Sequence, residues 1–266
     1  MRRAVLAAVG AMEFLFAALL YFRPADAFAL LGRHLLDPVI GRQYALTLLS
    51  VALFYGILAT NPSRYRRLIW IGIAQRLAEI VVAVIDWRAG ALSTSSFAVL
   101  SLIEVAVGVL LTLCTLGEPA RDVARQPYSR ASRRLARALW AFGGLEVFWF
   151  LLSTIAVQIG ARLLSWKLQD AYTTQQQGIA LLVIGLVSLA TASDVHRYRT
   201  FVYVPVASQA VGIVNAIVEL RLGTIPIAVA LLQWAIEGFI VAGMLRLAAA
   251  GDRERLRLTA AIAPVV

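Results

Sequence analysis

The sequence predicts an all-α polytopic membrane protein with eight transmembrane helices, arranged as two parallel-oriented four-helix repeats. Three observations lead to this fold class. The composition is strongly apolar, the chain contains eight apolar stretches of membrane-spanning length, and its two halves resemble each other. A soluble domain would have to bury a large set of helices that are apolar on every face, so this class is not favoured.

The composition is more apolar than that of a soluble domain. Hydrophobic residues make up 61% of the chain and the mean hydropathy is +0.79, whereas soluble domains contain about 45–50% apolar residues. The net charge of +10 comes almost entirely from arginine. These arginines flank apolar stretches instead of forming a basic face, so they indicate membrane orientation and not nucleic-acid binding.

Eight apolar stretches carry few charges and are long enough to cross the hydrocarbon core as helices. We predict spans at 3–22, 42–60, 65–86, 93–115, 137–157, 176–193, 199–219 and 226–247.

The two halves of the chain align without a gap at an offset of 133 residues. The Arg64-Tyr65-Arg66 triplet recurs at 197–199, and charged residues inside apolar spans also recur, which is difficult to obtain by chance. The informative matches are Gly10 with Gly143, Glu13 with Glu146, Asp37 with Asp170, Gln43 with Gln176, Arg88 with Arg221, Gly90 with Gly223, and Glu104 with Glu237. We interpret this pattern as an internal duplication.

The duplication divides the chain into four predicted segments. These are a first repeat at 1–116, a basic linker at 117–135, a second repeat at 136–250 and a C-terminal tail at 251–266. Each repeat has an even number of spans, so both enter the membrane from the same side. Because arginines concentrate at the termini and in the linker, the positive-inside rule predicts that these are cytoplasmic. The linker arginines are candidates for contact with anionic lipid headgroups.

Four ionisable residues of the first repeat fall near mid-membrane: Glu13, Arg76, Glu79 and Glu104. Such groups are costly in lipid and usually face protein or water. Arg76 and Glu79 are three residues apart, so they lie on one helix face and can pair. One arginine against three carboxylates leaves excess negative charge. Either some carboxyl groups are protonated or a cation enters the site.

The second repeat keeps two of these carboxylates and loses the basic residue. Glu146 and Glu237 match Glu13 and Glu104, whereas Gln209 stands at the position of Arg76 and Gly212 at that of Glu79. With Asn215, these residues predict an acidic pocket that has no basic partner. The predicted ligand-binding residues are Glu13, Arg76, Glu79, Glu104, Glu146, Gln209, Asn215 and Glu237.

These polar residues have a functional and a structural interpretation. They could form intramembrane sites that bind a proton, a cation or an amphipathic molecule. They could also be protonated or paired carboxyl groups that join helices, a role in which polar contacts contribute about 1 kcal/mol. The sequence shows no Gly-rich phosphate loop, no His/Cys metal-ligand spacing and no Ser-His-Asp set. It therefore predicts no catalytic residue, metal site or specific cofactor.

Each half, Val5–Leu113 and Ala138–Arg246, resembles the small four-helix bacterial membrane proteins of the DoxX-like group. The resemblance rests on Gly10-Ala11-Met12-Glu13 and on the Arg64-Tyr65-Arg66 turn. It implies a fused tandem pair in the bacterial inner membrane. Because some members of that group act beside quinone-linked oxidoreductases, it also implies possible partner subunits.

Three functions follow as alternatives. The first is a protein that binds or moves a proton, a cation or an amphipathic small molecule at acidic midplane pockets. The second is a non-catalytic accessory subunit of a larger respiratory or photosynthetic membrane complex. The third is a membrane enzyme acting on a lipid or quinone, which would require an acid–base pair facing a cavity.

Overall fold

The computed structural model describes residues 1–30, 36–116, 129–159 and 170–262, and within these ranges the regular structure is helical. Eight helices are long and apolar enough to cross a membrane, so the chain is a multi-pass membrane protein. They are α1 (Arg2–Phe22), α2 (Pro38–Thr60), α3 (Arg66–Arg88), α4 (Thr94–Thr115), α5 (Arg130–Ile155), α6 (Ala171–Ser193), α7 (Val195–Arg221) and α8 (Ile227–Ile262). A short helix, Pro24–Leu30, follows α1.

The second helix of each half begins at an aspartate cap. Asp37 Oδ1 accepts hydrogen bonds from the backbone N–H groups of Val39 at 2.9 Å and Ile40 at 3.3 Å. Asp170 Oδ1 accepts one from Thr173 N–H at 2.9 Å. Both helices start four or five residues before the predicted spans, at 42 and 176. The apolar windows excluded the polar first turns that these caps stabilise.

Glycine ends the third helix of each half. Gly90 has φ of 72° and Gly223 has φ of 70°, in the left-handed region that glycine adopts without steric cost. In each case the next residue donates its N–H to a carbonyl five residues back, from Ala91 to Asp86 and from Thr224 to Glu219. This terminal motif explains why Gly90 and Gly223 recur at the same offset.

Two helices extend further than their predicted spans. α5 begins at Arg130, not at 137, because Ser129 caps it by accepting a hydrogen bond from Ser132 N–H at 3.1 Å. α8 continues to Ile262, so the predicted tail at 251–266 is helical over its described part. These segments are charged, and a search for apolar spans stops before them. The rest of the predicted linker, 117–128, lies outside the described residues.

Helices α2 and α6 lie at the centre of the molecule. In each, 61% of the apolar window is buried, against 17% in α4 and 11% in α8, which face outward. α2 and α6 pack against each other. α3 packs against α6 of the other half, and likewise α7 packs against α2. The two four-helix sets are therefore interlocked through α2, α3, α6 and α7.

Reciprocal contacts join the two halves at the end where α2 and α6 finish. The Arg197 guanidinium donates to the Arg64 carbonyl at 3.2 Å, and Arg64 donates to the His196 carbonyl at 3.4 Å. At the same end of the molecule, the Tyr65 and Phe201 rings pack edge to face with their centroids 4.8 Å apart. These contacts join the turn between α2 and α3 to the first residues of α7 in the other half.

A second connection lies towards the other end of the same interface. Arg42 of α2 forms two hydrogen bonds with the Glu219 carboxylate of α7, at 2.6 and 2.9 Å. The Glu219 side chain is 1% exposed and that of Arg42 is 15% exposed. This fork-shaped pair joins the halves by a charge-assisted contact that water barely reaches.

Candidate functional site

The Arg76 guanidinium joins three helices of the first half. Its Nη1 atom donates to Glu79 Oε2 and to Glu104 Oε2, both at 2.9 Å, and its Nη2 atom donates to Glu13. Arg76 is 3% exposed and Glu13 is 5% exposed. The structure thus brings together all four charged residues that the sequence placed near mid-membrane in this half. We call them the Arg76 cluster.

Gln75 and Tyr55 form hydrogen bonds that support the Arg76 cluster. Gln75 Nε2 donates to Glu79 Oε1 at 2.9 Å and to Glu13 Oε1 at 3.3 Å. Tyr55 OH donates to Gln75 Oε1 at 3.2 Å, and both side chains are buried. The amide therefore shares Glu13 Oε1 with the guanidinium, binds the other oxygen of Glu79, and connects the cluster to α2 through Tyr55. Gln75 is a polar residue next to Arg76 inside an apolar span. It was not predicted from the sequence as a site residue, although this position could have indicated it.

Close packing of α1 on α2 positions Glu13. Gly10 lies one turn before Glu13, and a Cβ atom there would lie 3.2 Å from the Ala52 carbonyl oxygen of α2. A larger side chain would hold the helices apart. The small residue lets the two backbones approach and keeps the Glu13 carboxylate within reach of α3.

A cavity of about 220 Å³ adjoins the Arg76 cluster. One wall carries Glu13, Arg76, Glu79 and Glu104, and the Tyr44, Tyr172 and Gln176 side chains add further polar surface. The apolar part of the lining includes Met12, Phe16, Ile80, Leu100 and Ile103. We call this space the first cavity. It is lined by α1, α3 and α4 and also by α2 and α6, so both halves of the chain build it.

Two residues that line the first cavity, one on α1 and one on α4, belong to the outer surface of the protein. They are Met12 and Ile103, which are 37% and 41% exposed. Ser101 also lines the cavity, and its buried hydroxyl has no hydrogen-bond partner in the described part of the chain. The site thus combines charged groups, one unsatisfied hydroxyl and apolar lining residues on the outer surface.

A separate cavity of about 230 Å³ is lined mainly by residues of the second half. The structure brings the four residues predicted there into its lining: Glu146, Gln209, Asn215 and Glu237. Gln233 Nε2 donates to Glu237 Oε1 at 2.9 Å. Among the described residues, no arginine or lysine lines this space. We call it the second cavity.

Within the described residues, no group of three or more His, Cys, Asp or Glu side chains is placed to hold a metal ion. The linings of both cavities offer charge, hydrogen bonding and enclosure. Ion pairing, hydrogen bonding and proton exchange at carboxyl groups are within their reach.

Comparison of the chain with family models, curated proteins and solved structures finds no significant match. The resemblance to the DoxX-like group stays a prediction from the sequence. The functional argument therefore rests on the geometry of the two cavities.

Proposed function

We propose that this membrane protein binds a small amphipathic molecule in the first cavity. The observation that carries the proposal is that a buried charged cluster and apolar residues of the outer surface line one cavity. Met12 and Ile103 belong to the outer surface, and the Arg76 cluster is buried. A molecule that enters sideways from the bilayer would place its polar group at the cluster and leave its apolar part between α1 and α4.

The charge of the Arg76 cluster indicates which polar head group the ligand carries. Three carboxylates surround one guanidinium, so the fully ionised cluster carries two excess negative charges. Burial makes such an excess costly unless protons or a cation compensate for it. A cationic or hydrogen-bond-donating head group lowers this cost. We therefore propose lipophilic amines as the ligand class.

The size of the first cavity limits how much of the ligand it encloses. Its volume is about 220 Å³, below the range of roughly 300–1,000 Å³ typical of pockets that enclose a drug-sized ligand. The protein would hold the head group and the first few carbons, while the rest of the chain stays in lipid. The phenols of Tyr44 and Tyr172, which also line this space, would contact the head group.

The accessory-subunit alternative predicts a protein partner instead of a ligand. Its structural basis would be the outward apolar faces of α4 and α8, with Leu102 70% exposed and Phe239 80% exposed. Lipid covers such faces equally well, so they do not favour a protein partner. A cavity that encloses charged groups favours a ligand over a protein partner.

Our proposal includes the location and organisation of the chain. The duplication, the two repeats with their linker, the bacterial inner membrane and the cytoplasmic termini all belong to it. The arginine distribution supports the orientation. The basic cytoplasmic end, which includes Arg130, Arg134 and Arg253, would contact anionic lipid headgroups.

Binding of a labelled medium-chain alkylamine to protein in phosphatidylcholine nanodiscs tests this function, with empty nanodiscs as the background. We expect saturable binding to the wild type. Ser101→Phe places a ring in the space that the ligand head group would take, so it should weaken binding about tenfold or more, which corresponds to about 1.4 kcal/mol. Ser208→Phe makes the same change in the second cavity and should leave amine affinity unchanged. Non-saturable binding, or equal effects of the two variants, would contradict the proposal.

A further inference from the structure

The second cavity has the carboxylates of the first but lacks its internal cation. Glu146 and Glu237 occupy the positions of Glu13 and Glu104, 133 residues later, and both line the second cavity. Gln209 stands where Arg76 would stand. In the first half the guanidinium donates to Glu13 and Glu104 at once. In the second half the corresponding carboxylates face an open space.

The acceptors around this space are not satisfied by the protein. Asn215 is 3% exposed and lines the cavity, yet its Oδ1 atom accepts no hydrogen bond. Glu237 Oε2 is buried and also accepts none. Glu146, 6% exposed, has no hydrogen bond or ion pair within the described ranges. Buried acceptors without donors are costly, so a ligand that brings several donors would be stabilised here.

Gly212 gives the second cavity its shape. It replaces Glu79, and a Cβ atom at this position would lie 2.5 Å from Glu237 Oε1. The missing side chain lets the Glu237 carboxylate lie against α7. One carboxylate fewer than in the first half also means that a single cation leaves one excess negative charge instead of two.

The lining of the second cavity is also more polar than that of the first. Gln177 replaces Tyr44 and Gln233 replaces Leu100, while Gln43 reaches in from α2 of the other half. Amide groups can orient either a donor or an acceptor towards a ligand. This lining suits a small hydrophilic ion better than an alkyl chain.

We propose that the second cavity binds a small organic cation that carries a guanidinium group. The cation sits between Glu146 and Glu237, at the place that the Arg76 guanidinium fills in the first half. A guanidinium has donors on several edges, so it can pair with one carboxylate bidentately and still donate to another oxygen such as Asn215 Oδ1. The first half thus serves as an internal template for the ligand. This proposal is independent of amine binding in the first cavity.

The test is thermal unfolding of the full chain in nanodiscs, with guanidinium chloride in the low millimolar range against sodium chloride at equal ionic strength. A ligand that binds only the folded state raises Tm in proportion to the logarithm of its concentration once the site is saturated. We expect guanidinium to raise the Tm of the wild type and sodium not to do so. Equal shifts with both salts, or none with guanidinium, would overturn the proposal.

Gln209→Arg supplies the missing internal cation. It should abolish the guanidinium-dependent shift while binding of alkylamine to the first cavity persists. Glu146→Gln should also abolish the shift, which covers the case in which the arginine variant does not fold. Asp26→Asn makes the same acid-to-amide change at an exposed ion pair and serves as the control. If folded Gln209→Arg or Glu146→Gln proteins keep the wild-type shift, the guanidinium site is not the second cavity.

Discussion

Gln43 of α2 lines the second cavity, and Gln176 of α6, its counterpart 133 residues later, lines the first. Each central helix therefore contributes an amide to the cavity of the other half. The exchange follows from the packing of α3 on α6 and of α7 on α2. Because the cavities share the α2–α6 core, a change at this interface should affect both.

Removal of the internal cation should destabilise the first half. Arg76→Gln leaves the buried Glu13 and the partly buried Glu79 and Glu104 without a counter-charge. Loss of one partner of a buried ion pair costs about 3–5 kcal/mol. Gln209→Leu, at the matched position of the second half, should cost about 1 kcal/mol or less. Unfolding free energies in detergent would measure both. Equal losses of unfolding free energy in the two variants would show that the ion pairs of the Arg76 cluster do not stabilise the first half.

Gly143 and Gly144 are neighbours on α5 that should respond in opposite directions to alanine. A Cβ atom at Gly143 would lie 2.8 Å from the Gly185 carbonyl oxygen of α6, whereas one at Gly144 would have nothing within 4 Å. Gly143→Ala should therefore destabilise the protein by about 1–3 kcal/mol. Gly144→Ala should stabilise it by about 0.5–1 kcal/mol, because alanine has less backbone freedom than glycine to lose when the helix forms. Thermal unfolding of both variants decides the matter, and a neutral Gly143→Ala would contradict the observed approach of α5 and α6.

The Arg42–Glu219 pair should couple the two halves. A double-mutant cycle with Arg42→Gln and Glu219→Gln should give a coupling free energy of about 1–3 kcal/mol, as expected for residues in direct contact. The near-complete burial of Glu219 favours the upper part of this range. A coupling near zero would indicate that α2 and α7 do not pack as described.

The sequence predicted the helical class and the composition of the Arg76 cluster for one physical reason. A charge in an apolar span must find a partner. The sequence placed Glu13, Arg76, Glu79 and Glu104 near mid-membrane and put Arg76 and Glu79 on one helix face. The cost of burying each charge restricts where it can go, and this local constraint is visible in the residue pattern.

The sequence did not reveal the roles of Tyr44, Tyr172 and Gln176 in the first cavity. Tyr172 and Gln176 belong to α6 and reach this space only because the halves interlock. Their contribution depends on how the apolar surfaces of the two halves pack together. Many apolar residues are interchangeable in such packing, so the sequence does not show which helices will meet. The early starts of α2 and α5 were missed because caps such as Asp37 and Ser129 lie outside the apolar windows.

The orientation of the chain can be tested by cysteine labelling. In a Cys114→Ser background, Arg130→Cys should resist an impermeant thiol reagent added to intact cells, while Arg88→Cys should react. These residues lie at opposite ends of spanning helices, and the arginine-rich end is expected to be cytoplasmic. External labelling of position 130 but not of position 88 would reverse the assignment.

The most direct test of the central claim is a distance measurement between the Arg76 guanidinium and the carboxyl carbons around it. Solid-state NMR of protein in bilayers, with ¹⁵N-labelled arginine and ¹³C-labelled glutamate, can detect these contacts, and Arg76→Gln identifies the signal. The structure predicts short-range coupling from Arg76 Nη atoms to Glu13, Glu79 and Glu104. Coupling of Arg76 to lipid ³¹P, with no coupling to any of the three carboxyl carbons, would contradict it.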